Sequence, residues 1–304
     1  MANLLKIFLC ATTVFVFASC GREPLPVYPP VVPDIRLLQY LEIDSVTGTA
    51  PDTSSIVKLE YDVLKRLVVL SSYFSTDSAD QLLHYERFVY QYNGTDTFPA
   101  KMIYSSREGN ATDFTTRQDT SYYSYNTLGK ILTDSTSRND SSSLGSIHSY
   151  TTRRYNYSGS YFFIYKAEEN SGIINQTYDS VAVDISGSNM SSINSQSYSL
   201  PDSMPLFSFT GSFSYDNNPN PFRKIAALYP TIQVFEFNGG PSSLLQINNA
   251  INMSQNSSAG DVSNETVTYT YNTNGYPSGF QSVYSSTFSG ITETRRYKGV
   301  FVYN

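Results

Sequence analysis

A single unit recurs along this chain and limits it to β structure. An alternating strand ends in aromatic-x-aromatic, Asn or Asp follows with a turn, and a second strand begins. Leu59-Glu60-Tyr61-Asp62 leads into Leu67-Val68-Val69-Leu70, and Tyr90-Gln91-Tyr92-Asn93-Gly94 leads into Lys101-Met102-Ile103-Tyr104. Tyr123-Ser124-Tyr125-Asn126 and Tyr155-Asn156-Tyr157-Ser158 repeat the phrase, as do Phe213-Ser214-Tyr215-Asp216, Tyr269-Thr270-Tyr271-Asn272 and the closing Phe301-Val302-Tyr303-Asn304. The second aromatics Tyr61, Tyr92, Tyr125 and Tyr157 lie 31, 33 and 32 residues apart. The next two gaps, to Tyr215 and Tyr271, are 58 and 56, room for one degenerate copy each at 183–187 and 235–239.

A short period of two strands and a turn is a β-hairpin repeat. Period-two alternation sets Tyr, Phe, Val and Ile on one face of a sheet and Ser, Thr, Gln and Lys on the other. Asn, Asp and Gly after the aromatic pair suit the positive φ of tight turns. The pattern predicts an all-β fold: an antiparallel meander of about 30-residue β-hairpin repeats, forming a curved open sheet or half-barrel. One short helix is expected over Ser242–Met253, and Pro219-Asn220-Pro221 marks an irregular loop.

The N-terminus gives an address. Lys6 is followed by an apolar run from Ile7 to Phe17, then Ala18-Ser19-Cys20. The run is too short for a permanent bilayer helix and has the flanks of a cleaved export signal. Phe17-Ala18-Ser19-Cys20 resembles the lipobox of bacterial lipoproteins, which implies cleavage before Cys20 and lipid on that cysteine. Cleavage would leave 285 of 304 residues and, with Lys6 gone, a formal charge of −7 in place of −6. Cys10 departs with the signal and Cys20 is lipidated, so the mature chain has no thiol for a disulfide, a metal or catalysis. Residues 21–33 carry prolines at 24, 26, 29, 30 and 33, an extended spacer reaching roughly 40 Å. The organisation read is a signal over 1–19, a lipidated tether over 20–34, and one β-repeat domain over 35–304.

The units with Asn/Asp, Gly and Lys/Arg-Leu/Ile after the aromatic pair resemble the tyrosine-aspartate repeats of Rhs-type shell proteins. A lipobox combined with such degenerate units and Tyr215-Asp216-Asn217-Asn218-Pro219-Asn220-Pro221-Phe222 is similar to an uncharacterised family of Bacteroidota lipoproteins. The resemblance spans roughly residues 55 to 304 and implies the outer membrane. It leaves the membrane face open and transfers no catalytic residue.

The acidic balance, 26 Asp+Glu against 20 Lys+Arg, repels phosphate backbones and excludes nucleic acid as a partner. Chemistry-bearing residues are sparse. His84 and His148 are the two histidines, and Glu168-Glu169 reads as a solvated turn. Asp216-x-Asn218-x-Asn220 opens like a calcium loop but has Pro221 where the sharp-turn glycine belongs. No cofactor or metal is expected, and the chain reads as non-enzymatic. The candidate binding face is Tyr90, Tyr92, Tyr123, Tyr125, Tyr155 and Tyr157, whose rings suit a sugar platform or simple cross-strand packing. Asp-Ser/Thr-apolar triplets make Ser45, Ser78, Ser135 and Ser180 candidate O-glycosylation sites. Three functions follow: a surface binding module for glycan or protein, a periplasm-facing carrier of a lipid or other apolar ligand, and a hydrolase with an unrecognised carboxylate pair.

Overall fold

The structure, a computed structural model, describes residues 36–44, 52–73, 80–110, 112–127, 131–143, 145–158, 161–170, 172–186, 189–221 and 248–304. The signal, Cys20, the tether and the degenerate copy at 235–239 lie outside them. Among the described residues, sixteen strands run in chain order. The first eight are β1 (Leu37–Asp44), β2 (Asp52–Tyr61), β3 (Leu67–Tyr73), β4 (Tyr85–Gln91), β5 (Lys101–Gly109), β6 (Phe114–Tyr125), β7 (Ile131–Ser142) and β8 (Gly145–Ser158). They continue as β9 (Tyr161–Asn170), β10 (Ile173–Ser186), β11 (Asn189–Ser199), β12 (Pro205–Pro219), β13 (Asn248–Ser257), β14 (Val262–Tyr271), β15 (Pro277–Phe288) and β16 (Ile291–Tyr303).

Each strand pairs antiparallel with its chain neighbours, and β1 pairs with β16 through Tyr40↔Phe301 and Glu42↔Gly299. The sheet is therefore a closed barrel, which corrects the expected open sheet or half-barrel. The reason is physical: a long twisted meander coils, and joining its two edges satisfies the ladder groups that an open sheet would leave bare. The expected helix over Ser242–Met253 is also corrected, since Asn248–Ser257 is β13, with Asn252, Ser254 and Asn256 on one face. Glu168 and Glu169 are likewise strand residues of β9 rather than a turn.

The inside carries the apolar set. Leu59, Val181, Ile193, Phe213, Val267 and Phe280 belong to one buried cluster whose members come from β1–β5 and β10–β16. Ile131, Tyr155 and Ile164 form a second on β7–β9. Side chains lining a wide, water-filled lumen would stay exposed, yet these are buried, so their end of the barrel is filled. The opposite end is different: the hairpin residues Ile173, Met204, Phe288 and Ile291 are all exposed there. The barrel is a cup with a packed floor and an open mouth.

The repeated aromatic pair builds that floor. Its second tyrosine reaches the neighbouring strand and donates its hydroxyl to a main-chain carbonyl 24 to 26 residues upstream. The bonds are Tyr61 to Leu37 (2.9 Å), Tyr92 to Leu67 (2.8 Å), Tyr125 to Pro99 (2.9 Å) and Tyr303 to Pro277 (2.7 Å). Leu37, Leu67 and Pro277 open β1, β3 and β15, and Pro99 stands just before β5. These four pairs of strands are thus fastened at their base. The Asn or Asp that follows shapes the turn: Asn272 Oδ1 accepts from Asn274 and Tyr276 N–H, while Gly275 sits at φ 79°. Asp62 does the same for Arg66, with Lys65 at φ 64°. Tyr92→Phe is expected to cost about 1 kcal/mol, the value of one such bond. A urea melt that leaves the midpoint unmoved would show the bond to be dispensable.

Candidate functional site

A cavity of about 440 Å³ opens inside the cup, walled by β4–β10. Charged residues reach it because they occupy the same parity as the inner aromatics: Asp119 precedes Ser121 and Tyr123 on β6, Arg153 precedes Tyr155 on β8, and Lys166 follows Ile164 on β9. Four cations (Arg117, Arg138, Arg153, Lys166) and four acids (Glu86, Asp119, Asp134, Asp179) line it, above an apolar patch of Phe88, Met102 and Ile164. A cleft of about 450 Å³ nearer the mouth shares Glu86, Tyr104 and Arg117 with it. On the other side of the mouth, Phe207, Phe209, Tyr284 and Phe288 line a third hollow of about 360 Å³.

The two deepest acids are fully engaged. Asp119 Oδ2 accepts from Arg117 Nη2 at 2.6 Å and its Oδ1 from Arg138 Nε at 3.3 Å. Asp134 Oδ1 accepts from Arg153 at 2.9 Å and Oδ2 from the Tyr155 hydroxyl at 2.6 Å. Burial opposes the charge on Arg117 and Arg153, but bonds and charge from Asp119 and Asp134 hold both guanidinium groups above their ordinary pKa. Burial raises the Asp179 carboxyl above its usual range, against the pull of Ser197, Lys166 and Arg153. Burial also pushes the Tyr104 phenol up to about 12, and its hydroxyl donates to Glu86 at 3.0 Å. The phenol of Tyr155 is pushed far upward by burial first and the Asp134 charge second. These tyrosines are hydrogen-bond donors at every physiological pH, with no phenolate to act as a base.

Five of the six tyrosines of the candidate binding face turn inward, and the sixth, Tyr157, is exposed. Tyr90 and Tyr155 are buried, Tyr92 and Tyr125 give their hydroxyls to backbone carbonyls, and the Tyr123 hydroxyl meets the Met102 sulfur at 3.6 Å. Of the six, Tyr123 and Tyr155 line the 440 Å³ cavity; Tyr157 stands at the far end of β8. An aromatic ladder stands on the outer wall, half-buried but for the exposed Tyr165: Phe163 stacks on Tyr178 at 5.8 Å, Tyr165 lies 4.9 Å from it and Tyr198 6.0 Å. Ser135 and Ser180 stand on the outer wall, opposite in parity to Asp134 and Asp179; Ser45 and Ser78 fall outside the described residues. His148 is an outer-wall residue bonded to Asn139 at 2.7 Å, and His84 lies in the turn before β4.

Asp216 serves as a hydrogen-bond hub at the floor, accepting from Asn218 N–H at 2.9 Å, from Asn249 and from Tyr271. No group of metal-ligating side chains is assembled among the described residues.

No family model and no curated protein matches the chain. Two solved structures share its outline. A porin-like protein from Bacteroides vulgatus ATCC 8482 is 13% identical, with 89% of this chain and 99% of that one covered and a TM-score of 0.48. A porin-like protein from Bacteroides uniformis ATCC 8492 is 14% identical, covers 88% and 96%, and scores 0.43. Both likenesses are too weak to carry function.

The outer wall is more informative. On β6 the outward residues are Thr116, Gln118, Thr120, Tyr122 and Ser124; on β7 they are Thr133, Ser135, Ser137 and Asn139. Ser208, Thr210, Ser212 and Ser214 follow on β12, and Asn264, Thr266, Thr268 and Thr270 on β14. Side-chain bonds knit these strands from outside: Ser124 to Thr133 at 2.6 Å, Asn252 to Ser214 at 3.0 Å, and Thr266 to Asn252 at 3.2 Å. A barrel that crosses a bilayer shows an apolar band about 25 Å tall on its outside and polar groups within. The strands named show no such outer band: β12 and β14 turn apolar Phe213 and Val267 inward, while β6 and β7 are polar on both faces.

Proposed function

We propose that this chain is an outer-membrane lipoprotein whose barrel stands in water and captures a small polar solute in its mouth, with no chemistry performed on it. Cys20 would carry the lipid and residues 21–33 the spacing. The observation that carries the reading is the polar, hydrogen-bonded outer wall of β6, β7, β12 and β14 around an apolar floor, since lipid would leave their outward Ser, Thr and Asn side chains without water. The packed floor also argues against a pore through this barrel. A cavity of 440 Å³ lies within the size range of small-molecule sites, roughly 300–1,000 Å³, and admits neither a folded protein nor a polysaccharide. An apolar cargo would sit between Phe207 and Phe288; the charged cavity is the larger and carries the reading.

The test is fractionation of a chain in which a cleavable signal without a lipidation cysteine replaces residues 1–20. The wild type should pellet with outer membrane, and the exchanged chain should appear in the soluble fraction. Continued membrane integration of the exchanged chain would end this reading.

A further inference from the structure

The eight charges of the 440 Å³ cavity cancel formally, but its two deepest acids are less exposed than its arginines. The side chains of Arg117, Arg138 and Arg153 are 37%, 33% and 29% exposed, whereas Asp119 and Asp134 behind them are 6% and 1% exposed. Asp119 and Asp134 have both oxygens occupied, while Glu86 and Asp179 complete the acids of the lining. The guanidinium groups are not fully bonded: Arg117 leaves Nη1 unused, Arg138 bonds through Nε alone, and Arg153 bonds through one Nη. Lys166 adds an ammonium from the next strand, held by Glu168 at 2.5 Å. Arg117, Arg138, Arg153 and Lys166 stand on four successive strands, β6 to β9, around one hollow. Buried acids thus hold three arginines, and Glu168 the lysine, so that the hollow is lined by cations with N–H donors to spare.

We infer that this cavity binds a small organic anion, its carboxylate or sulfate group taken by the spare donors of Arg117, Arg138, Arg153 and Lys166. This rests on the capture reading above. Guanidinium forks match such planar or tetrahedral oxyanions with paired bonds, and partial shielding from water strengthens them. Phe88, Met102 and Ile164 leave an apolar surface for the body of the ligand, and the Tyr104 hydroxyl stands at the passage from the mouth.

The probes are sodium glucuronate and sodium sulfate, with glucose as the neutral control, titrated calorimetrically into the intact lipoprotein in mild detergent. Glucuronate or sulfate should bind at millimolar concentration or below, more weakly as sodium chloride rises, and glucose should not. Arg138→Gln and Lys166→Gln should each weaken the anion about tenfold, the cost of one charge-assisted bond. Both spare the buried acids, because Asp119 keeps Arg117 and Glu168 is itself partly exposed; an unchanged circular dichroism spectrum confirms the fold. Equal binding of glucose and glucuronate, indifferent to both substitutions, overturns the anion inference and leaves capture standing. Silence from all three probes, with no small molecule on the chain in native mass spectra, overturns both.

Discussion

Asp134→Ala should destabilise the barrel by about 3 kcal/mol, the largest effect of any single charged residue in the cup. Asp134 is 2% exposed and holds two donors at once, Arg153 Nη1 and the Tyr155 hydroxyl. Removing it strands a guanidinium and a buried phenol together. The penalty is that of orphaned donors, so it exceeds what the pair contributes over an apolar substitute. Arg153 keeps partial contact with water in the cavity, which sets the figure at the low end of the range for buried pairs, about 3–5 kcal/mol. Urea unfolding should show a lower midpoint with unchanged slope. Adding Tyr155→Phe to the alanine variant should cost less than it does in the wild type, because the hydroxyl has already lost its acceptor. A loss under about 1 kcal/mol would mean that Asp134 is solvated and that the inner network is not what holds β7 to β8.

Gly299→Ala should be comparably severe, for a steric reason. A Cβ at Gly299 would lie 1.7 Å from Phe280 Cε1 and 2.6 Å from Cδ1 and Cζ. Gly299 and Phe280 are direct cross-strand partners on β16 and β15, and the ring lies over the glycine as part of the floor. Phe280 also packs on Phe301 at 5.9 Å and Tyr269 at 6.4 Å, so it cannot swing aside without opening a cavity. The expected cost is about 3 kcal/mol, at the upper end of overpacking penalties. The signature is non-additivity: in a Phe280→Ala background, Gly299→Ala should cost almost nothing further. Additive losses would place the defect in the β16 backbone and not in the ring.

The repeat of strands and turns was legible because each unit carries its own turn chemistry, as Asp62 and Asn272 illustrate. Closure was not. The pairing of β1 with β16 depends on twist accumulated over the whole meander, and no residue between Leu37 and Asp44 announces a partner more than 250 positions away. The tyrosines were legible as a class but not in their orientation. A signal was present: in Tyr123-Ser124-Tyr125 and Tyr269-Thr270-Tyr271 the intervening residue is small and polar, so the tyrosine face is the drier one. Followed inward along the same parity, that signal leads to Asp119, Arg153 and Lys166, the charged residues the sequence reading missed. Their local surroundings look like any solvated strand, and only the closed barrel turns them toward one another.

The claim on which the whole account rests is that water, and not lipid, surrounds the barrel. The direct measurement is to prepare the chain with residues 1–20 exchanged for a non-lipidated cleavable signal, entirely without detergent, and to record its sedimentation and circular dichroism. A soluble particle with a β-sheet spectrum and a cooperative urea transition is the predicted result. Precipitation that only detergent micelles relieve, with the β-sheet spectrum appearing only in their presence, would contradict it and return the barrel to the bilayer.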